Sequence, residues 1–178
     1  MNILNRKKER NMLRVISILT AVFCATVASS AEAKCSHDQQ VRALALNIYH
    51  EARNQGHDGM LMVAEVTINR VKNSNFPNTI CGVVYQGRKD QSGNMLPNRC
   101  QFSWYCDGKS DRAINQTVWN DAVDIAEGIL SGDVDLLNIG ATHYLNPNTV
   151  SRMPKWTKKY ELVGTWGDHR FYAMGDKL

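Results

Sequence analysis

Val41-Arg42-Ala43-Leu44-Ala45-Leu46-Asn47-Ile48-Tyr49-His50-Glu51-Ala52-Arg53 brings Val41, Leu44, Ala45, Ile48 and Ala52 back to one face at helical spacing. The spacing predicts a helix over 38–54. Gly56 and Gly59 bracket a short turn, and a second run over 60–72 buries Val63, Ala64, Thr67 and Val71. Two helices joined by so short a loop pack as an antiparallel hairpin. From Phe76-Pro77 to Asp107 the pattern is irregular, with Val83-Val84-Tyr85 as a short apolar element and a loop containing Gly and Asn after it. A third helix is expected to start near Ser110 or Asp111, either of which can cap it. It carries Val118, Ala122, Ile125, Ala126 and Ile129 as its stripe and ends at Gly132. Beyond Gly140 the chain reads as strands. Ala141 to Leu145 is one, and Tyr160 to Thr165 pairs with His169 to Ala173 in a hairpin around Gly167-Asp168. Helices first and strands last make an α+β domain.

The whole chain has 178 residues and a formal charge of +4, from 21 Lys+Arg against 17 Asp+Glu. That is one domain's worth of chain, with 43% hydrophobic residues, and far from the basic balance of a nucleic-acid binder. Arg6, Lys7, Lys8, Arg10 and Arg14 lead an uncharged, mostly apolar run from Val15 to Ala31, and Ala31-Glu32-Ala33 supplies a small-x-small cleavage pattern. Residues 1–33 therefore read as an export signal and 34–178 as the working domain, periplasmic or secreted. The rival reading is a transient membrane tether through 15–31. Removing 1–33 takes away five basic and two acidic side chains and leaves 16 against 15. Cys24 leaves too, so that Cys35, Cys81, Cys100 and Cys106 form an even set. In an exported chain four cysteines make a two-bridge framework with three connectivities, and no C-x-x-C pair supports metal binding. The preferred pattern is Cys81–Cys100 with Cys35–Cys106.

Several chemistries lack their residues. His50-Glu51-Ala52-Arg53-Asn54 starts like a zinc-protease helix, but Asn54 stands where the second His ligand is needed. No Ser lies in a G-x-S-x-G elbow, and the cysteines belong to bridges. Glu51 falls near the buried edge of the first helix. There a carboxyl losing solvent gains the raised pKa that a general acid requires. A surface Glu, or one paired with Arg53 or Arg70, is the plainer alternative. Glu65, between Ala64 and Val66, is a second candidate, with bonding to Asn69 or a basic side chain as its plainer role. Phe102, Trp104 and Tyr105 read equally as a sugar-stacking surface or as core beside a bridge. His143 and His169 read as core histidines or as substrate contacts. No metal or cofactor is expected.

Ala45-Leu46-Asn47-Ile48-Tyr49-His50-Glu51-Ala52-Arg53, Val63 to Val71, Phe76 to Val84, Cys100-Gln101-Phe102-Ser103-Trp104, Gly140 to Tyr144 and Gly167 to Tyr172 follow one another in fixed order. This series resembles the cell wall hydrolases of the spore-cortex-lytic-enzyme type over about 40–174. The resemblance implies a single lysozyme-like α+β domain, mainly helical with a small C-terminal antiparallel β-sheet. It implies action on peptidoglycan glycan strands; a monomer is expected, with no nucleic-acid partner. Glu51 becomes the catalytic acid/base of a lytic transglycosylase, and Gln101, Ser103, Trp104, His143, Tyr144 and His169 the groove contacts. Many relatives continue E-A-R-G-E, whereas this chain has Asn54-Gln55 at the corresponding place. The competing readings are a muramidase using Glu51 with Glu65, an amidase cutting the lactyl-peptide bond, and a non-catalytic wall-binding module.

Overall fold

Ser36 starts the first helix with a reciprocal cap. Its hydroxyl accepts the Gln39 backbone N–H at 3.3 Å, while the Gln39 side chain accepts the Ser36 N–H at 2.8 Å. The computed structural model describes residues 35–174, and the export-signal reading of 1–33 lies outside them. Helix α1 (His37–Ala52) is followed by α2 (Gly56–Lys72), and they pair as the hairpin that the spacing predicts. The first helix is nevertheless not amphipathic in the ordinary sense: every residue from Ala43 to Tyr49 is buried. A helix buried all round is one with neighbours on several sides. Here α2, the short α3 (Ile80–Val84) and α4 (Gln116–Ser131) all pack against it. Leu44, Ile48, Val63, Val83, Val84, Ala122 and Ile125 form this core.

Between α3 and α4 the expected loop is a small hairpin, β1 (Gly87–Lys89) with β2 (Met95–Cys100). The Asp90 carboxylate shapes its turn by accepting the backbone N–H groups of Ser92 and Asn94. A 3₁₀ turn over Ser103–Cys106 follows. Helix α4 starts at Gln116, later than expected. The Tyr49 hydroxyl accepts the N–H groups of both Ile114 and Asn115 at 3.1 Å and holds 110–115 out of the helix, so that Asn115 becomes the cap. Gly132 closes the helix with φ of 86°.

A three-stranded antiparallel sheet of order β3-β5-β4 closes the fold, from β3 (Ala141–Leu145), β4 (Glu161–Trp166) and β5 (His169–Ala173). A 3₁₀ turn over Lys155–Lys158 precedes β4. The sheet packs on α2 through Met62, Val66, Ala141 and Phe171, a second core beside the first. Four helices and two small antiparallel sheets among the described residues make the domain α+β and mainly helical.

The disulfides correct the expected pairing. The bonds are Cys35–Cys81 and Cys100–Cys106, with Cα atoms 6.2 and 6.1 Å apart, rather than Cys81–Cys100 and Cys35–Cys106. Packing of α3 on α1 brings Cys81, near the start of α3, to Cys35 just ahead of α1. The 3₁₀ turn folds Cys106 back onto the end of β2.

Candidate active site

Helix α1 exposes its last turn at the mouth of a cleft of about 450 Å³. Tyr49, His50, Glu51 and Arg53 form one wall, Ser103 and Trp104 another, and the 107–114 loop the third. Glu51 is half-buried there, and its Oε2 accepts the Tyr144 hydroxyl at 3.0 Å. Burial raises the Glu51 pKa, against the lowering effects of the Tyr144 hydrogen bond and the Arg70 charge. Neither Arg53 nor Arg70 forms an ion pair with it: among the described residues the one ion pair is Lys109–Asp107 at 3.7 Å.

Behind Glu51 lies a packed support. Arg70 is 5% exposed, its Nε donates to the Thr142 carbonyl at 2.8 Å, and its guanidinium lies over the rings of Phe76 and Phe102. Burial pulls its pKa down, while its proximity to Tyr144 and Glu51 holds it up. Tyr144 loses solvent and faces the Glu51 carboxylate, and both effects push its pKa up. The phenol thus stays a hydrogen-bond donor. His169 packs edge-on against Tyr144 at 5.2 Å.

The expected contacts divide. Ser103 is exposed at the cleft wall, and Trp104 lines the same wall. Trp104 is only 7% exposed, donates its indole N–H to Asn47 Oδ1 at 3.1 Å and stacks on His50 at 4.8 Å. Together with the 3% exposure of Phe102, this makes the aromatic run chiefly core, with Trp104 offering an edge. Tyr144 bonds Glu51 directly, and His169 packs against the Tyr144 ring. Gln101 and His143 are not brought to the cleft. Gln101 is exposed and pairs its backbone N–H with the Gln86 carbonyl. His143 packs among Phe76, Trp156 and Tyr160, where burial first, and then the Arg70 charge, lower its pKa to about 4.

Glu65 takes its plainer role. It is 1% exposed, its two oxygens accept the N–H groups of Asn138 at 3.1 Å and Ile139 at 2.8 Å, and Asn69 donates at 3.5 Å. Three residues around the site carried no functional expectation from the sequence. Asn47 is fully buried, bonded to both Trp104 and Thr67; a polar residue amid the apolar stripe of α1 was its signal. His50 pairs with the Asp111 carbonyl at 3.1 Å and so ties α1 to the loop wall. Asp111 itself, in that loop, was marked only as a possible helix cap, a role that Asn115 takes instead.

Comparison with known proteins agrees with this architecture. The cell wall hydrolase family is matched over residues 54–172, starting three residues after Glu51. A spore cortex-lytic enzyme of Bacillus cereus is 28% identical over 119 residues, 66% of this chain and 39% of that enzyme. One from Bacillus subtilis is 25% identical over 119 residues, covering 67% and 33%. The matched stretch thus spans well under half the length of these relatives. The crystal structure of the catalytic domain of the Bacillus cereus SleB protein superposes with a TM-score of 0.54 at 26% identity, over 75% of this chain and 88% of that one. The catalytic domain of the germination-specific lytic transglycosylase SleB from Bacillus anthracis gives 0.55 at 26% identity, over 77% and 95%. With the family matched along most of its length and the SleB catalytic fold reproduced, the chain belongs to the cell wall hydrolase family.

Proposed function

We propose that this chain cleaves the bond between N-acetylmuramic acid and N-acetylglucosamine in peptidoglycan as a lytic transglycosylase, with Glu51 as acid and then base. The observation that carries the reading is a half-buried carboxyl in a cleft, with its pKa raised by desolvation and one oxygen held by Tyr144. Protonated Glu51 donates to the glycosidic oxygen as the bond to the muramoyl C1 breaks. Its carboxylate then removes the proton from the muramoyl C6 hydroxyl, which attacks C1 and closes a 1,6-anhydro ring. The proton lost in the first step is recovered in the second. Tyr144 orients the carboxylate, and the Arg70 charge stabilises it between the steps. The nucleophile belongs to the substrate, so one carboxyl suffices. Likeness to the Bacillus anthracis domain, which comes from a germination-specific lytic transglycosylase, supports the same reaction class. Ser103 and the edge of Trp104 serve as groove contacts, and residues 1–33 direct export to the wall.

One observation favours a second reading. Asp107 and Asp111 line the same cleft as Glu51. Either carboxylate can activate water in a hydrolytic muramidase, a role that Glu65, committed to backbone donors, does not fill. Mass spectrometry of digested peptidoglycan separates the possibilities. Anhydro-muropeptides support the transglycosylase, and reducing disaccharides support the muramidase. Freed peptides indicate an amidase, and no products a binding module. Anhydro products that persist when Glu51 becomes Gln would overturn the assignment.

A further inference from the structure

Beside the Glu51 cleft lies a second pocket of about 560 Å³, within the roughly 300–1,000 Å³ range of small-ligand sites. The two share Trp104, Asp111 and Arg112, so they adjoin along these residues. The pocket's walls are unlike those of the cleft. Tyr85, Tyr105 and Trp119 supply half-buried aromatic surface, and two exposed guanidiniums, Arg42 and Arg112, line it. Asp111 is its one acidic residue among those described. Arg42, Tyr85 and Asp111 line this one space together. None of this is needed to protonate a glycosidic oxygen.

The chemistry of the substrate proposed above supplies an occupant. The muramoyl residue carries, on its lactyl ether, a short peptide with free carboxylates and, at its diamino residue, an ammonium group. That peptide is rooted on the same sugar whose C1 reacts, so a muramoyl residue held at Glu51 carries its stem at the cleft. We propose that the pocket lined by Arg42, Arg112, Tyr85 and Tyr105 is a subsite for this stem peptide, with the guanidiniums taking its carboxylates. Guanidinium and carboxylate match in charge and in planar geometry. Asp111, at the shared edge, faces the opposite charge of the diamino residue. The inference rests on the peptidoglycan-cleaving reading and extends it: the enzyme reads the stem as well as the glycan.

Arg42 lines the second pocket and not the Glu51 cleft, so Arg42→Gln leaves the lining of the Glu51 cleft intact. The test measures kcat/KM for the full chain and this variant on three substrates. These are intact peptidoglycan, strands stripped of stems by an amidase, and strands whose stem carboxylates are converted to amides. The wild type is expected to lose about tenfold on stripped or amidated strands, the low end for a charge-assisted hydrogen bond. Arg42→Gln is expected to lose about tenfold on intact peptidoglycan and nothing further on stripped strands. Equal wild-type rates on intact and stripped strands would overturn the subsite, as would a defect in Arg42→Gln that persists without stems. The ends of the products report separately on the Glu51 chemistry. Failure to cleave any of the three substrates sinks the activity and the subsite with it.

Discussion

Glu51 and Glu65 sit on adjacent helices of one hairpin, and the structure uses them in opposite ways. Glu65, on α2, is fully buried, yet each of its oxygens accepts a backbone N–H, from Asn138 and Ile139. Those donors replace the water it lost and fasten α2 to the segment entering β3. Glu51, on α1, is less buried but receives one hydrogen bond, from Tyr144, at an open cleft. Desolvation raises its pKa despite that bond. Burial alone therefore does not make an acid catalyst. Under the proposed function, the number of donors aimed at the carboxylate separates the structural clamp from the acid–base group.

The largest effect that sharpens this contrast is Glu51→Gln, which is expected to lower kcat/KM by about 10²–10⁴-fold with the fold intact, the usual worth of general acid–base catalysis. The same variant makes a stability prediction of definite sign. Because the folded pKa lies above the ordinary value of 4.5, the native state holds more protons than the unfolded state between 4.5 and the raised value. Wild-type stability then falls as pH rises through that window. Glu51→Gln is expected to melt at a higher temperature than wild type at neutral pH, and to lose this advantage below pH 4.5. A melting temperature below wild type at pH 7 would place Glu51 among the structural carboxylates.

Glu65→Gln is the converse experiment. An amide nitrogen cannot accept the N–H that one carboxylate oxygen now receives, so a buried donor is orphaned. The expected cost is about 2 kcal/mol, or on the order of 5–10 °C in Tm, with activity per folded molecule retained. A loss of activity without loss of stability would return Glu65 to the chemistry.

Tyr144→Phe has a smaller effect on rate and a specific effect on pH. The Tyr144 bond favours the Glu51 carboxylate, so removing it lets the Glu51 pKa rise further. The acid form then persists to higher pH, and the alkaline limb of kcat/KM moves upward, while the plateau falls by about tenfold or less. A lower plateau with an unmoved limb would mean that Tyr144 only packs.

The parts of this molecule legible in sequence are those whose signals are local. The α1–α2 hairpin, the Gly132 stop and the β4–β5 hairpin followed from spacing and turn residues, and the motif order carried the family. Most of what escaped depends on contacts distant in sequence, the Cys100–Cys106 bridge with its separation of 6 being the local exception. The start of α4 is set by the hydroxyl of Tyr49, 66 residues before Asn115. The disulfides follow α3 packing on α1 and a 3₁₀ turn, neither of which leaves a periodicity. The alternation of β3 places His143 and Tyr144 on opposite faces, so only one of two neighbours in a shared motif reaches Glu51. Gln101 stood in a motif as well, but its backbone rather than its side chain has the partner.

The smallest expected effect concerns Gln55, one turn beyond Glu51, where many relatives of this type carry a second Glu. Its Oε1 accepts the Asp168 N–H at 2.7 Å, and its Nε2 donates to Asp168 Oδ2 at 3.4 Å. Gln55 thereby pins the β4–β5 turn to the loop between α1 and α2. Gly167 keeps φ at 56°, and a Cβ there would run into the Gln55 carboxamide. A Glu at this place keeps the acceptor but sets a carboxylate against Asp168, where the amide now donates. Gln55→Glu is expected to cost a few tenths of a kcal/mol at low salt and nothing at high salt, because the pair is exposed and screened. Gln55→Ala loses both bonds and costs about 0.5–1 kcal/mol. Neither substitution is expected to change kcat/KM by more than about twofold, since in the proposed mechanism one carboxyl serves both proton transfers. A large gain in turnover from Gln55→Glu would show that the missing carboxyl takes part in the reaction. The division between one reactive Glu and its structural neighbours would then have to be redrawn.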